Sequence, residues 1–124
     1  MRLARILILS VVLAAATAPA YAIPHVQPHV LLRGTPTGQG TLENDITANF
    51  FLSEKVLGSQ VHAKIAGHQA KVVHVGGKTT FYVANLPHSV KLHFGRVYRV
   101  IIVACDKHGC SSFSKPIKLP KPSL

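Results

Sequence analysis

Both cysteines of the chain fall in one nonapeptide, Ala104-Cys-Asp-Lys-His-Gly-Cys-Ser-Ser112. A carboxylate, Asp106, and an imidazole, His108, stand between the two thiols. Three chemistries fit these residue types. Thiolate, imidazole and carboxylate together can hold Zn²⁺ or copper. A thiol beside an imidazole can act as a nucleophile if the base reaches it. Two cysteines across a tight turn can also form a disulfide. The spacing matches no known structural zinc pattern, and a hairpin would send alternate side chains to opposite faces.

Other residues of chemical potential are sparse. Glu43, Asp45, Glu54 and Asp106 are the only carboxylates, too few for a ready general acid and base pair. There is no Gly-x-Ser-x-Gly, no His-Glu-x-x-His and no phosphate-binding glycine loop. Glu43 follows Thr41-Leu42 in an expected loop and carries no evident role. The balance of these signals points away from an enzyme.

The N-terminus indicates the compartment. Arg2 and Arg5 precede an apolar run from Ile6 to Ala16, and Ala20-Tyr21-Ala22 is a small-x-small cleavage signal. This is the pattern of a secretory signal peptide over residues 1–22, and the apolar run is too short to span a bilayer. Cleavage would leave a chain with no membrane span, secreted or periplasmic. Removing Arg2 and Arg5 takes the 14 Lys and Arg residues to twelve against four carboxylates, a net charge of +8. All eight histidines lie in this part, so acid could raise the charge to +16. Such a balance favours acidic partners: an anionic polysaccharide, lipid headgroups, or nucleic acid met outside the cell. Nucleic acid is disfavoured, because aromatics are not interleaved with the basic residues.

The elements that must position these groups read as strands. Residues 23–30 carry Pro-His-Val twice and form an extended leader. Period-two patterning then marks strands over His29–Arg33, Asp45–Leu52, Gln60–Ile65, Gln69–Val75, Lys78–Leu86, Arg96–Cys105 and Cys110–Leu119. Gly34–Gly40 reads as a loop. Val61, Ala63, Ile65, Val73 and Val75 are expected to point inward. A loop over Ala66–Ala70 would then pair His62 with His74 on the outside, near Lys64 and His68. Phe50, Phe51, Phe81, Tyr82 and Tyr98 are core candidates. Residues 120–124 read as a flexible basic tail. Seven short strands in about 100 residues indicate an all-β, seven-stranded antiparallel sandwich over residues 31–119.

One family shares the sequence detail. Leu92-His-Phe-Gly-Arg-Val-Tyr98 is similar to a Leu-x-Pro-Gly-x-x-Tyr entry to a strand. Tyr98-x-Val100-x-Ile102-x-Ala104 is similar to Tyr-x-Val-x-Val-x-Ala, and Asp106 to Pro116 fits Asp-x-x-Gly-x-Ser-x-x-Ser-x-Pro. These about 28 residues resemble strands F and G of a fibronectin type III domain, an Ig-like sandwich. The resemblance implies core roles for Phe50, Leu92, Tyr98, Val100 and Ile102, with Phe50 in place of the family's tryptophan. It implies a phenol at Tyr98 bonding backbone at the sandwich corner, and a corner widened by Pro87–Lys91. Asp106–Gly109 becomes the F–G turn, and Cys105 and Cys110 face each other across it as a disulfide, at a Cα separation near 5.5 Å. Bacterial exported domains of this kind are similar here.

The function this implies is a small exported non-catalytic interaction module, with no cofactor, that binds a protein or an anionic glycan of the envelope. The alternative is a periplasmic copper- or zinc-binding protein. Asp106-x-His108 looks like the carboxylate–histidine pair of periplasmic copper-resistance proteins, with His25 as the N-terminal histidine. Pro24, however, has no N–H to surrender to Cu²⁺. Oligomeric state stays open.

Overall fold

A computed structural model describes residues 23–77 and 79–120. The expected signal peptide, the last four tail residues and Lys78 lie outside the described residues. Eight strands follow in chain order: β1 (Leu31–Pro36), β2 (Thr41–Phe51), β3 (Val61–Ile65), β4 (His68–His74), β5 (Phe81–Asn85), β6 (Leu92–His93), β7 (Val97–Asp106) and β8 (Gly109–Lys118). A single 3-10 turn, Gly58–Gln60, precedes β3. The chain is thus all-β, as its period-two patterning requires.

All pairings are antiparallel, in the order β1-β2-β5-β4-β3-β7-β8, with β6 beside β2. β4 bonds to β3 on one edge and to β5 on the other, so one sheet curls round on itself. Alternate residues of each strand meet inside the curl. Ile46, Ala48 and Phe50 of β2 face Tyr82 and Ala84 of β5, Val61, Ala63 and Ile65 of β3, and Val100, Ile102 and Ala104 of β7. Each Ile, Val or Phe among them contributes about 1.5–3 kcal/mol by leaving water, and each alanine less. Phe50, Leu92, Val100 and Ile102 are buried. Tyr98 is half-buried, and its hydroxyl accepts the His93 N–H at 2.7 Å.

Several sequence expectations need correction. β1 begins at Leu31 and runs through Gly34–Pro36, where a loop was expected. The chain passes so close to β2 there that a Cβ on Gly34 would stand 2.8 Å from Leu42 Cγ. β2 starts at Thr41, four residues early, because Asn44 and Asp45 adopt φ of 53° and 52° and absorb a register shift. Both residue types tolerate this left-handed conformation. The alternation breaks at this kink, which hid the strand's first residues. Glu43 is therefore a strand residue, not a loop residue. It accepts the Thr41 hydroxyl at 2.6 Å and lies 3.8 Å from the Lys91 ammonium.

The hairpin between β3 and β4 is shorter than expected. Ala66 and Gly67, at φ of 52° and 81°, make a two-residue turn. Two successive left-handed residues match the right-handed twist of the flanking strands. Ile65 then pairs with His68 and Ala63 with Ala70. This reverses the parity of β4. Ala70 and Val72 turn inward, while Val73 and Val75 are exposed. His62 pairs with Val103 of β7, and His74 with Tyr82 of β5, so the expected His62–His74 pair does not form. Phe51 is likewise exposed at the end of β2 rather than in the core.

Tyr82 is the largest fully buried side chain. Its ring stacks on Phe50 at 5.9 Å and lies 4.9 Å from the His74 ring. Its hydroxyl donates to the Val56 carbonyl at 2.5 Å and accepts the Val56 N–H at 2.8 Å. This pins the connection between β2 and β3 over the end of the core. The leader is bonded in place. Val26 bridges Leu52, Gln27 N–H donates to the Phe51 carbonyl at 2.8 Å, and the Ser111 hydroxyl donates to the Pro24 carbonyl. Pro24 is fully buried.

The Tyr82→Phe substitution keeps the ring and removes both bonds, leaving a buried N–H and C=O on Val56. An unsatisfied buried group costs about 1–3 kcal/mol. Urea unfolding should show a lower midpoint at unchanged slope, with the unfolding free energy reduced by that amount. A loss below about 0.5 kcal/mol would contradict the pinning role.

Candidate functional site

Three groups converge at one end of the curl: the leader, the β2–β3 connection and the hairpin between β7 and β8. The hairpin is built by Asp106. Its Oδ1 accepts the His108 N–H at 2.7 Å and the Gly109 N–H at 3.1 Å. A short carboxylate that bonds its own downstream backbone closes the turn. Asp106 pairs with Gly109, so the loop proper is Lys107-His108, two residues rather than four. Gly109 takes a φ of 153° and lies against the Ile23 side chain.

Cys105 and Cys110 are disulfide-bonded, with their Cα atoms 4.0 Å apart. They pair directly across the hairpin, one step from its closing pair. That position is the closely spaced type in an antiparallel ladder, which explains a separation shorter than the expected 5.5 Å. The cystine lies on the outer side of the strands. Asp106, one residue on, has the opposite parity and faces the loop end. Cystine and carboxylate are therefore parted, and the two sulfurs are not free to bind metal or attack a substrate.

Asp106 instead meets Glu54. Together with Lys55, Val56, Leu57, Gln60, Lys107 and His108 they line an open pocket of about 560 Å³. The carboxyl of Glu54 is pushed above its ordinary value by loss of water, then by a hydrogen bond with Asp106 and by the charge of Asp106; His108 and His25 oppose this. Loss of water acts upward on Asp106 too. The His108 N–H, the bond from Glu54 and the Gly109 N–H outweigh it and hold Asp106 below its ordinary value. Two close carboxyls with opposed shifts divide the roles of proton holder and charged acceptor. Glu54 Oε1 is buried and makes no hydrogen bond. The charges of His25, Asp106 and His108 thus all act on one carboxyl, Glu54, which the sequence did not single out. Among the described residues, no three His, Cys, Asp or Glu groups close to metal-holding geometry.

A second arrangement covers the outer face of β3, β7 and β8. His62 pairs with Val103 and Lys64 with Ile101, and Ser112 and Ser114 of β8 continue these two rows. Arg99 and Lys118 stand beyond them on the same face, and the Arg99 guanidinium donates to the Ser114 hydroxyl at 2.8 Å. A shallow groove of about 210 Å³ runs between β4 and β7, lined by His62, Ala63, Lys64, Gln69, Ile101 and Val103. All four carboxylates of the chain lie elsewhere: Glu43 and Asp45 on β2, Glu54 in the β2–β3 connection, Asp106 at the loop end. The expected loop Pro87–Lys91 is a turn between β5 and β6. Val90 is buried there, and its N–H donates to the Pro87 carbonyl at 3.1 Å.

No family model, curated protein or solved structure matches the chain.

Two outcomes test this loop end. Replacing both cysteines by serine should lower unfolding stability by about 2 kcal/mol, the chain entropy of so short a loop. An unchanged urea midpoint would contradict a stabilising cystine. The raised Glu54 means that the folded chain holds this proton more tightly than the unfolded one. Its contribution is present in acid and is lost as pH rises from the ordinary value of 4.5 through the raised one. Asp106 acts oppositely, contributing above 3.8 and losing that contribution as pH falls through its lowered value. Glu54→Gln removes the first effect and leaves Asp106 its His108 and Gly109 N–H bonds. Its melting temperature relative to the parent should therefore climb as pH rises above 4.5. A flat difference would remove the carboxyl pair from the account.

Proposed function

We propose that this chain is an exported, non-catalytic interaction module of fibronectin type III-like architecture that binds an acidic polysaccharide of the cell envelope. One observation carries the reading. The outer face of β3, β7 and β8 presents His62, Lys64, Arg99 and Lys118 among serine hydroxyls, and none of the chain's carboxylates shares it. Unopposed cations at strand spacing suit a repeating anionic polymer, and the hydroxyls can bond its oxygens.

The sandwich reading draws support from the curl itself. β1, β2 and β5 form one side and β3, β7 and β8 the other, with β4 joining them at one edge. The Tyr98 hydroxyl bonding five residues back fits a corner of such a sandwich. Export is supported by the basic and apolar N-terminus with its small-x-small site, and by the cystine, which persists in oxidising compartments. A secreted or periplasmic place follows, and no helix among the described residues is long and apolar enough to cross a membrane. Binding is preferred over catalysis because both sulfurs are spent in the cystine and the Ser114 hydroxyl is engaged by Arg99. The copper or zinc alternative on His25, Asp106 and His108 is weaker, since the charges of these groups act on Glu54 without the groups converging on one point among the described residues.

The protein should be retained on an immobilised sulfated polysaccharide at low salt and released as salt screens the contacts. The double reversal Lys64→Glu with Arg99→Glu should weaken binding about tenfold or more at unchanged thermal stability. Retention that ignores both salt and the reversal would overturn this reading.

A further inference from the structure

The opposite outer face, formed by β1, β2, β5 and β4, has a different character. Cross-strand pairing sets Leu31, Asn49, Val83 and Val73 in one row. The next row sets Phe51 against Phe81, with ring centroids 4.9 Å apart, and Val75 beside Phe81 through its N–H bond to that carbonyl at 3.0 Å. Leu31 is 55 %, Phe51 49 %, Val73 42 % and Val75 40 % exposed. The two adjacent rows, apolar except at Asn49, gather these side chains into one patch, unlike single apolar residues scattered on a surface.

The rim of the patch is cationic. The row on its far side runs Arg33, Thr47, Asn85, Lys71, with a cation at each end and neutral side chains between. Past the Phe51–Phe81 row, the Lys55 ammonium is anchored on the Gly77 carbonyl at 2.5 Å. None of the four carboxylates stands in these rows.

We infer that the outer face of β1, β2, β5 and β4 docks the protein on an anionic lipid surface. Phe51, Leu31, Val73 and Val75 enter the headgroup region, and Arg33, Lys71 and Lys55 meet the phosphates. An aromatic and aliphatic patch ringed by Lys and Arg is the chemistry that holds proteins at anionic bilayers, where burial and charge attraction add. The charge argues against a second copy as the occupant. Two such faces would oppose their rim cations, on exported chains carrying twelve cations and four carboxylates each. An acidic polysaccharide would meet the cations and leave the apolar rows in water. This inference concerns a different face from the polysaccharide reading and stands without it.

The chain has no tryptophan, so Phe51→Trp places one reporter in the patch. The purified protein, in the form its host cell leaves it, is titrated with vesicles of phosphatidylcholine alone and of phosphatidylcholine with phosphatidylglycerol. The expected result is a blue-shifted emission with the mixed vesicles and partitioning about tenfold stronger than to the neutral ones. Phe51→Ser should weaken partitioning about tenfold, the worth of one buried aromatic ring, and Lys71→Glu about fivefold or more. Both variants should keep the parent melting temperature and polysaccharide binding, because these side chains lie outside the core. Three results would overturn the inference. One is emission unchanged by vesicles. Another is vesicle binding abolished by Lys64→Glu with Arg99→Glu and untouched by Phe51→Ser. The third is a dimer in sedimentation that Phe51→Ser dissolves, which would make a second copy the occupant.

Discussion

β4 pairs with β3 through His68–Ala70 and with β5 through Lys71–His74, and the rest of the structure depends on this handover. Ala63–Ala70 and Ile65–His68 tie it to β3, while Val72–Ala84 and His74–Tyr82 tie it to β5. A seven-residue strand whose first half joins β3 and whose second half joins β5 lets one antiparallel sheet turn back on itself. Inner residues of β2 and β5 are thereby brought against those of β3 and β7 without a helix to cover them. The curl leaves two outer strands, β1 and β8, and each carries a proline, Pro36 and Pro116. Proline on an edge strand discourages pairing with another chain.

The same curl sorts the charges. Period-two geometry gives every strand one buried and one exposed row, and few carboxylates are available to the exposed rows. Their cations therefore remain in long unopposed lines on the outside of β3, β7 and β8, and at the rim of the β1, β2, β5 and β4 face. The scarce carboxylates work locally. Glu43 holds Thr41 and Lys91, and Asp106 builds the hairpin turn while sharing the loop end with Glu54. Tyr82 and the leader close that end, so the cystine hairpin stands on a fixed base.

Much of this is legible in the sequence. Alternating Val, Ile and Ala over Val97–Asp106 and Val61–Ile65 sets both strands and their buried faces, because burial on one side demands that alternation. The cystine follows from its place across a turn. Parity beyond a turn is harder. Ala66-Gly67 looks like the start of a longer loop until alanine is seen to adopt a left-handed conformation, and one residue's difference moves Val73 and Val75 from core to surface. Phe51 misleads for a related reason. Hydrophobicity alone puts it inside with Phe50, while consecutive residues of a strand face opposite ways. Glu54 was invisible as a site residue because its partner, Asp106, lies 52 positions along the chain, and only the fold brings the two together.

Cross-strand nuclear Overhauser contacts on β4 in the folded protein test the account most directly. Backbone contacts of Ala63 with Ala70, and of Val72 with Ala84, are expected together in one species. They would confirm a strand shared by both sides of the curl, with Val73 turned out. Contacts of His62 with His74, or β4 paired with β3 alone, would contradict it. The buried core would then need another closure, and both outer faces would have to be redrawn.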